Sequence, residues 1–191
     1  MRKIISILII FIKASVGVTA QGDLEPDSFT IYLVRHAEKD YESPNKDDLT
    51  LTDCGEQRSE SLAVFLADIN LKAVYSTDYA RTRSTVAPTA EMKNLETQMY
   101  SAADHEGLVA EILAAKETVL VVGHSNTIPV IASMLTGENF SEIDLDVYDR
   151  IYQVVMCGNA ASVNLFHSPF ECDEKRRKLL IPKSEVPRKR L

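Results

Sequence analysis

Five residues in a row, Thr118-Val119-Leu120-Val121-Val122, are β-branched or aliphatic, and Gly123-His124-Ser125-Asn126 follows at once. A short, continuous, β-branched run closed by glycine marks a strand covered on both faces. The same arrangement occurs twice upstream. Phe29-Thr30-Ile31-Tyr32-Leu33-Val34 ends at Arg35-His36, and the run from Leu71 to Tyr75 ends at Ser76-Thr77-Asp78. Helical segments lie between the strands. One is capped by Thr52 and runs from Asp53 to about Asp68, with Leu62, Phe65, Leu66 and Ile69 on one face. A second starts near Tyr79 and is broken or restarted at Pro88. A third, capped by Ser101 or Asp104, runs to Lys116 with Leu108, Ile112 and Leu113 buried, and a fourth runs through Leu135 to a stop near Gly137. Leu95–Tyr100 is a further strand, and Arg150–Met156 with Ala161–His167 reads as a closing hairpin. Strands alternating with helices predict a three-layer α/β/α fold around a mainly parallel sheet, in one domain over residues 21–170.

Three polar segments therefore stand in equivalent places, each directly after a strand. Ligands of open α/β sheets bind outside the carboxyl ends of the strands. Arg35, His36, Arg81 and His124 are thus expected on one crevice. Two arginines and two histidines suit a dianion. A phosphoryl group in transfer spreads charge over its equatorial oxygens, and catalysis is mostly positioning and electrostatic stabilisation. The arginine fork stays charged and donates paired hydrogen bonds. A neutral histidine nitrogen can accept the phosphoryl group covalently, provided an acceptor orients the other nitrogen.

Charge narrows the partners. The net charge is −7, but the chain carries +3 in residues 1–20 and +4 from Glu171 to the end, leaving −14 between them. So acidic a body excludes nucleic acid as a partner and requires a local positive pocket for a small phosphorylated substrate. Met1-Arg2-Lys3, the apolar run Ile4–Ile12 and Val18-Thr19-Ala20 make residues 1–20 a candidate signal peptide. That predicts a periplasmic or secreted protein with no stable membrane span, since a span needs about 20 apolar residues. Residues 171–191 read as a basic, disordered tail. The three cysteines, Cys54, Cys157 and Cys172, show no CxxC spacing, and their odd number leaves a disulfide framework unimplied and their pairing open. A metal site is not expected, because two arginines beside His36 and His124 would repel a cation. No cofactor is called for.

The motifs Arg35-His36-Ala37-Glu38-Lys39, Leu51-Thr52-Asp53-Cys54-Gly55, Ser76-Thr77 with Arg81-Thr82 and Thr85, and Gly123-His124-Ser125-Asn126, in this order, resemble the histidine phosphatase (phosphoglycerate mutase-like) superfamily, as in a small exported bacterial member. The resemblance covers about residues 30–166. It implies that His36 is the phosphorylated nucleophile and that Arg35, Arg81 and His124 bind the phosphoryl oxygens. It also implies that Asn126 contributes a donor from the loop after His124, and that Thr52 and Gly55 are structural. An acid that protonates the leaving group would fall near Asp104, which serves equally as a helix cap. Glu38 either orients a neighbouring side chain or, as is more usual for such a loop pair, is solvated with Lys39, and His105 and His167 read as surface residues. The implied function is hydrolysis of a phosphomonoester or a phosphohistidine. A mutase, for which the chain has little room in capping segments, and a non-catalytic phospholigand module are the alternatives.

Overall fold

The computed structural model describes residues 28–172. The candidate signal peptide and nearly all of the basic tail lie outside them. Six strands and four helices alternate: β1 Ser28–Arg35, α1 Asp53–Phe65, β2 Ala73–Thr77, α2 Ala80–Lys93, β3 Thr97–Tyr100, α3 His105–Ala115, β4 Val119–Gly123, α4 Thr127–Thr136, β5 Arg150–Cys157 and β6 Ala160–His167. They form one sheet in the order β3-β2-β4-β1-β5-β6. The four strands from β3 to β1 are mutually parallel, while β5 and β6 run antiparallel as the closing hairpin.

The continuous apolar strands are central because both faces are covered. Ile31, Leu33, Val119 and Val121 pack on one face with α3 and α4, where Ile112, Ile128 and Ile131 are fully buried. Tyr32, Val34, Leu120 and Val122 pack on the other with α1 and α2, against Leu62, Leu66 and Val86. The parallel register sets Arg35 beside Gly123 and Ser76 beside Val122. The carboxyl ends of β1, β2 and β4 are thereby level with one another, and that edge carries the site.

Two local features depart from the sequence reading, and a third fills in what it left open. Pro88 lies inside α2 and does not break it. Its missing N–H would have served the carbonyl of Ser84, an exposed residue that water can satisfy. Phe65 and Leu113 are 40% and 38% exposed. Phe65 instead meets Phe166 of the edge strand β6, ring to ring at 6.5 Å. Cys54 and Cys172, 118 residues apart, form a disulfide, and Cys157 is free and exposed.

Candidate active site

His36 is the first residue beyond β1. Its backbone N–H donates to Gly123 O at 2.9 Å, which ties the ends of the two central strands together. The next residue is anchored from α2, where Thr85 Oγ1 accepts from Ala37 N at 2.9 Å while donating to Arg81 O at 2.7 Å. His36 is 4% exposed, and its Nδ1 lies 2.7 Å from the carbonyl of Ala37. A carbonyl only accepts, so Nδ1 carries the proton and the lone pair resides on Nε2. This is the orienting acceptor that a histidine nucleophile requires, and it is a backbone group supplied by the very next residue.

Arg35, His36, Arg81, His124 and Asn126 all line one open cleft of about 330 Å³. The His36 and His124 rings are 5.5 Å apart, edge to face. Arg35 is 4% exposed and clamped from below. Its Nη1 donates to the carbonyls of Asp144 and Val147 at 2.9 and 2.8 Å, and the guanidinium lies 4.1 Å above the ring of Tyr148. Arg81 stacks on Tyr79 at 4.4 Å. The Nε groups of both Arg35 and Arg81 are buried without a protein partner among the described residues. His124 Nε2 is 3.0 Å from the Thr77 hydroxyl, which is 3.0 Å from that of Thr82, which donates to the carbonyls of Thr77 and Tyr79. The arrangement that satisfies each hydroxyl has His124 donating through Nε2 at the head of this chain.

The electrostatics are one-sided. Among the described residues, no aspartate or glutamate lines the cleft. Burial, and then the charges of Arg35 and Arg81 and the proximity of His124, push His36 down to about 3, with the Ala37 carbonyl opposing in part. Burial first, then Arg81, Arg35 and Lys39, push His124 down to about 4. Both imidazoles are therefore neutral at physiological pH, as a nucleophile must be.

Asp104 is not brought to this cleft. It caps α3, where its Oδ1 accepts from Gly107 N at 2.9 Å. Thr52 caps α1, accepting from Gly55 N at 3.1 Å. Gly55 has a second role, because a Cβ there would come within 2.4 Å of the Glu38 carbonyl oxygen. The helix start can press against the loop after His36 only where no side chain intervenes. At Gly123 a Cβ would meet the Tyr100 hydroxyl at 2.6 Å and Thr127 Oγ1 at 2.8 Å, so glycine is required for β4 to enter the His124 turn.

Several contributors escaped the sequence reading. Glu38 is not a solvated loop residue; it is gripped by Arg58 of α1, Nε to both carboxylate oxygens at 2.9 Å and Nη2 to Oε1 at 2.6 Å. Lys39 lines the cleft. His105 is half-buried with Nε2 enclosed, whereas His167 is exposed and pairs with Asp149 at 2.9 Å. Tyr148 and its loop, which hold Arg35, carry no motif. An arginine following a strand does, however, signal a need for carbonyl or aromatic support.

Comparison with known proteins agrees with this geometry. The profile of the histidine phosphatase superfamily (branch 1) matches residues 31–104, which include Arg35, His36 and Arg81. Among solved structures, a mycobacterial glucosyl-3-phosphoglycerate phosphatase superposes with a TM-score of 0.62 at 13% identity, covering 74% of this chain and 99% of that one. The protein histidine phosphatase SixA, complexed with tungstate, superposes at 0.60 and 16%, covering 73% and 97%. A protein described as mycobacterial hydrolase 2 gives 0.66 and 14%, covering 80% and 96%. At such identities the likeness speaks for the fold. No curated protein matches by sequence comparison. The matched profile, over residues 31–104, and the shared fold make this chain similar to the histidine phosphatase superfamily.

Proposed function

We propose that the protein hydrolyses small phosphorylated molecules, phosphomonoesters or phosphoramidates such as phosphohistidine, through a covalent phosphohistidine on Nε2 of His36. The observation that carries this reading is the Nδ1–H of His36 committed to the Ala37 carbonyl, which leaves Nε2 as the attacking atom in a cleft shared with Arg35, Arg81 and His124. The Nε2 lone pair forms the N–P bond as the bond from phosphorus to the leaving oxygen or nitrogen breaks, and the leaving atom keeps that electron pair. Arg35 and Arg81 hold the equatorial oxygens. The imidazole becomes cationic and its Nδ1–H bond to Ala37 O strengthens accordingly. Water then attacks phosphorus, the N–P bond breaks back to Nε2, and orthophosphate leaves.

With no carboxylic acid on the cleft wall, leaving groups that depart as weak bases are favoured. Aryl phosphates and a protonated phosphoimidazole meet that requirement. The cleft volume is at the lower end of the roughly 300–1,000 Å³ usual for small-molecule sites, which suits a small substrate or a single modified side chain. The Cys54–Cys172 disulfide supports the further reading that the protein works in an oxidising, exported compartment after loss of residues 1–20; the mass of the protein recovered from its native host tests that.

The central test compares the wild type with His36→Ala on phenyl phosphate. The variant is expected to lose a thousandfold or more, on the order seen when a covalent nucleophile is removed. The wild type should also accumulate an acid-labile phosphoenzyme that the variant lacks. Undiminished hydrolysis by His36→Ala would remove the nucleophile assignment.

A further inference from the structure

Lys39 holds a charge that the phosphoryl group does not need. A phosphoryl dianion is matched by the guanidiniums of Arg35 and Arg81. Lys39 lines the same cleft and adds a third cation, while no acid lines it and no carboxylate among the described residues pairs with the ammonium. Its Nζ rests 4.9 Å from the ring centroid of Tyr41, a soft and wet support at an exposed aromatic.

The backbone explains why it faces this way. Lys39 and Leu51 form an antiparallel bridge, flanked by Thr52 N donating to Glu38 O at 2.9 Å and Asp40 N donating to Thr50 O at 2.8 Å. In extended backbone neighbouring side chains alternate sides. Glu38 turns toward Arg58, 2.6 Å away and outside the cleft, so Lys39 is presented to the cleft. The bidentate Glu38–Arg58 grip and the Gly55 contact behind it fix the strand that carries the lysine. A firmly held strand that sets a mobile cation on the wall of a positive cleft, on a body that is otherwise strongly acidic, is organised for a ligand.

We infer that Lys39 forms a leaving-group subsite, and that the preferred substrates carry a second anionic group, a carboxylate or a further phosphate, on the portion released. This rests on the phosphatase reading above and specifies the substrate class within it.

The test uses two substrates of nearly equal shape, 4-carboxyphenyl phosphate and its neutral methyl ester, with the wild type, Lys39→Gln and Lys39→Arg. The readout is the ratio of kcat/KM for the acid to that for the ester, in which any general effect of the substitution cancels. The ratio should fall about tenfold in Lys39→Gln, the scale of one charge-assisted hydrogen bond, and largely recover in Lys39→Arg. A ratio equal to the wild-type value in Lys39→Gln, whether or not both rates fall, would overturn the inference and leave the phosphatase reading standing. If the wild type hydrolyses neither ester, the phosphatase reading itself fails and takes the inference with it.

Discussion

Replacing His36 by asparagine should flatten the dependence of stability on pH. In the folded protein His36 is nearly inaccessible and holds a pKa of about 3, against 6.5 for an exposed histidine. The unfolded chain therefore binds a proton that the folded chain refuses. Stability from this source is complete above about pH 6.5 and is lost progressively as pH falls toward about 3, because the unfolded state binds more protons throughout that window. At about pH 5 the unfolded imidazole is almost fully protonated and the folded one almost fully neutral. The shortfall of about 1.5 pH units below the unfolded value, at 1.36 kcal/mol each, amounts to about 2 kcal/mol. Asparagine keeps an N–H that can reach the Ala37 carbonyl and removes only the titration. Urea unfolding of both proteins at about pH 7.5 and about pH 5 measures the effect by linear extrapolation. The wild type should lose about 2 kcal/mol more than His36→Asn between the two conditions, with the His124 contribution common to both. Equal losses would mean that His36 titrates as an exposed histidine does, and the argument for a buried, neutral nucleophile would fail.

Two further outcomes follow from the packing around the loop after His36. Gly55→Ala places a Cβ against the Glu38 carbonyl at 2.4 Å and its nitrogen at 3.1 Å, both backbone atoms that cannot swing aside. It should cost about 1–3 kcal/mol of stability, the usual penalty for overpacking, and lower kcat/KM because the displaced loop carries His36; unchanged melting and turnover would contradict the contact. Cys172→Ser opens a link across 118 residues and should cost about 2–4 kcal/mol. Reductant should bring the melting point of the wild type down to that of the variant while leaving the variant unmoved. Before reduction only Cys157 should react with an alkylating agent.

The parts of the site that could be read from the chain are those fixed by strand ends. Arg35 and His36, the turn leading to Arg81, and His124 each follow a strand whose apolar run is unmistakable, and parallel pairing brings such ends together whatever the side chains are. What could not be read depends on pairings between distant loops. Glu38 and Lys39 look alike as charged loop residues until the bridge from Lys39 to Leu51 assigns one to Arg58 and the other to the cleft. Tyr148 meets Arg35 only because β5 returns beside β1. Cys54 and Cys172 become partners through the position of the segment that follows β6, which no spacing rule encodes. Asp104 shows the opposite difficulty. The same residue type serves as a helix cap and as a general acid, and local sequence favours both equally.

The cleft gathers like charges in one place. Arg35 is buried with its Nε unpartnered, Arg81 likewise leaves a buried Nε without an acceptor, and both neighbouring histidines are held in the neutral form partly by these charges. A group that brings acceptors to these donors is favoured here, since a buried donor left without an acceptor costs about 1–3 kcal/mol. A bound phosphoryl dianion supplies acceptors to the guanidiniums and reverses the field felt by His36 and His124. In the proposed mechanism the same change stabilises the cationic imidazole that forms when His36 is phosphorylated. On that reading the charges of Arg35 and Arg81 act more strongly on the phosphoenzyme than on the protein before reaction, which is the differential binding that catalysis requires. The fold tolerates the arrangement because the strands beneath it, Ile31 to Val34 and Val119 to Val122, are almost wholly buried, and the one side-chain hydroxyl among them, that of Tyr32, accepts from Gln153 Nε2 at 3.1 Å.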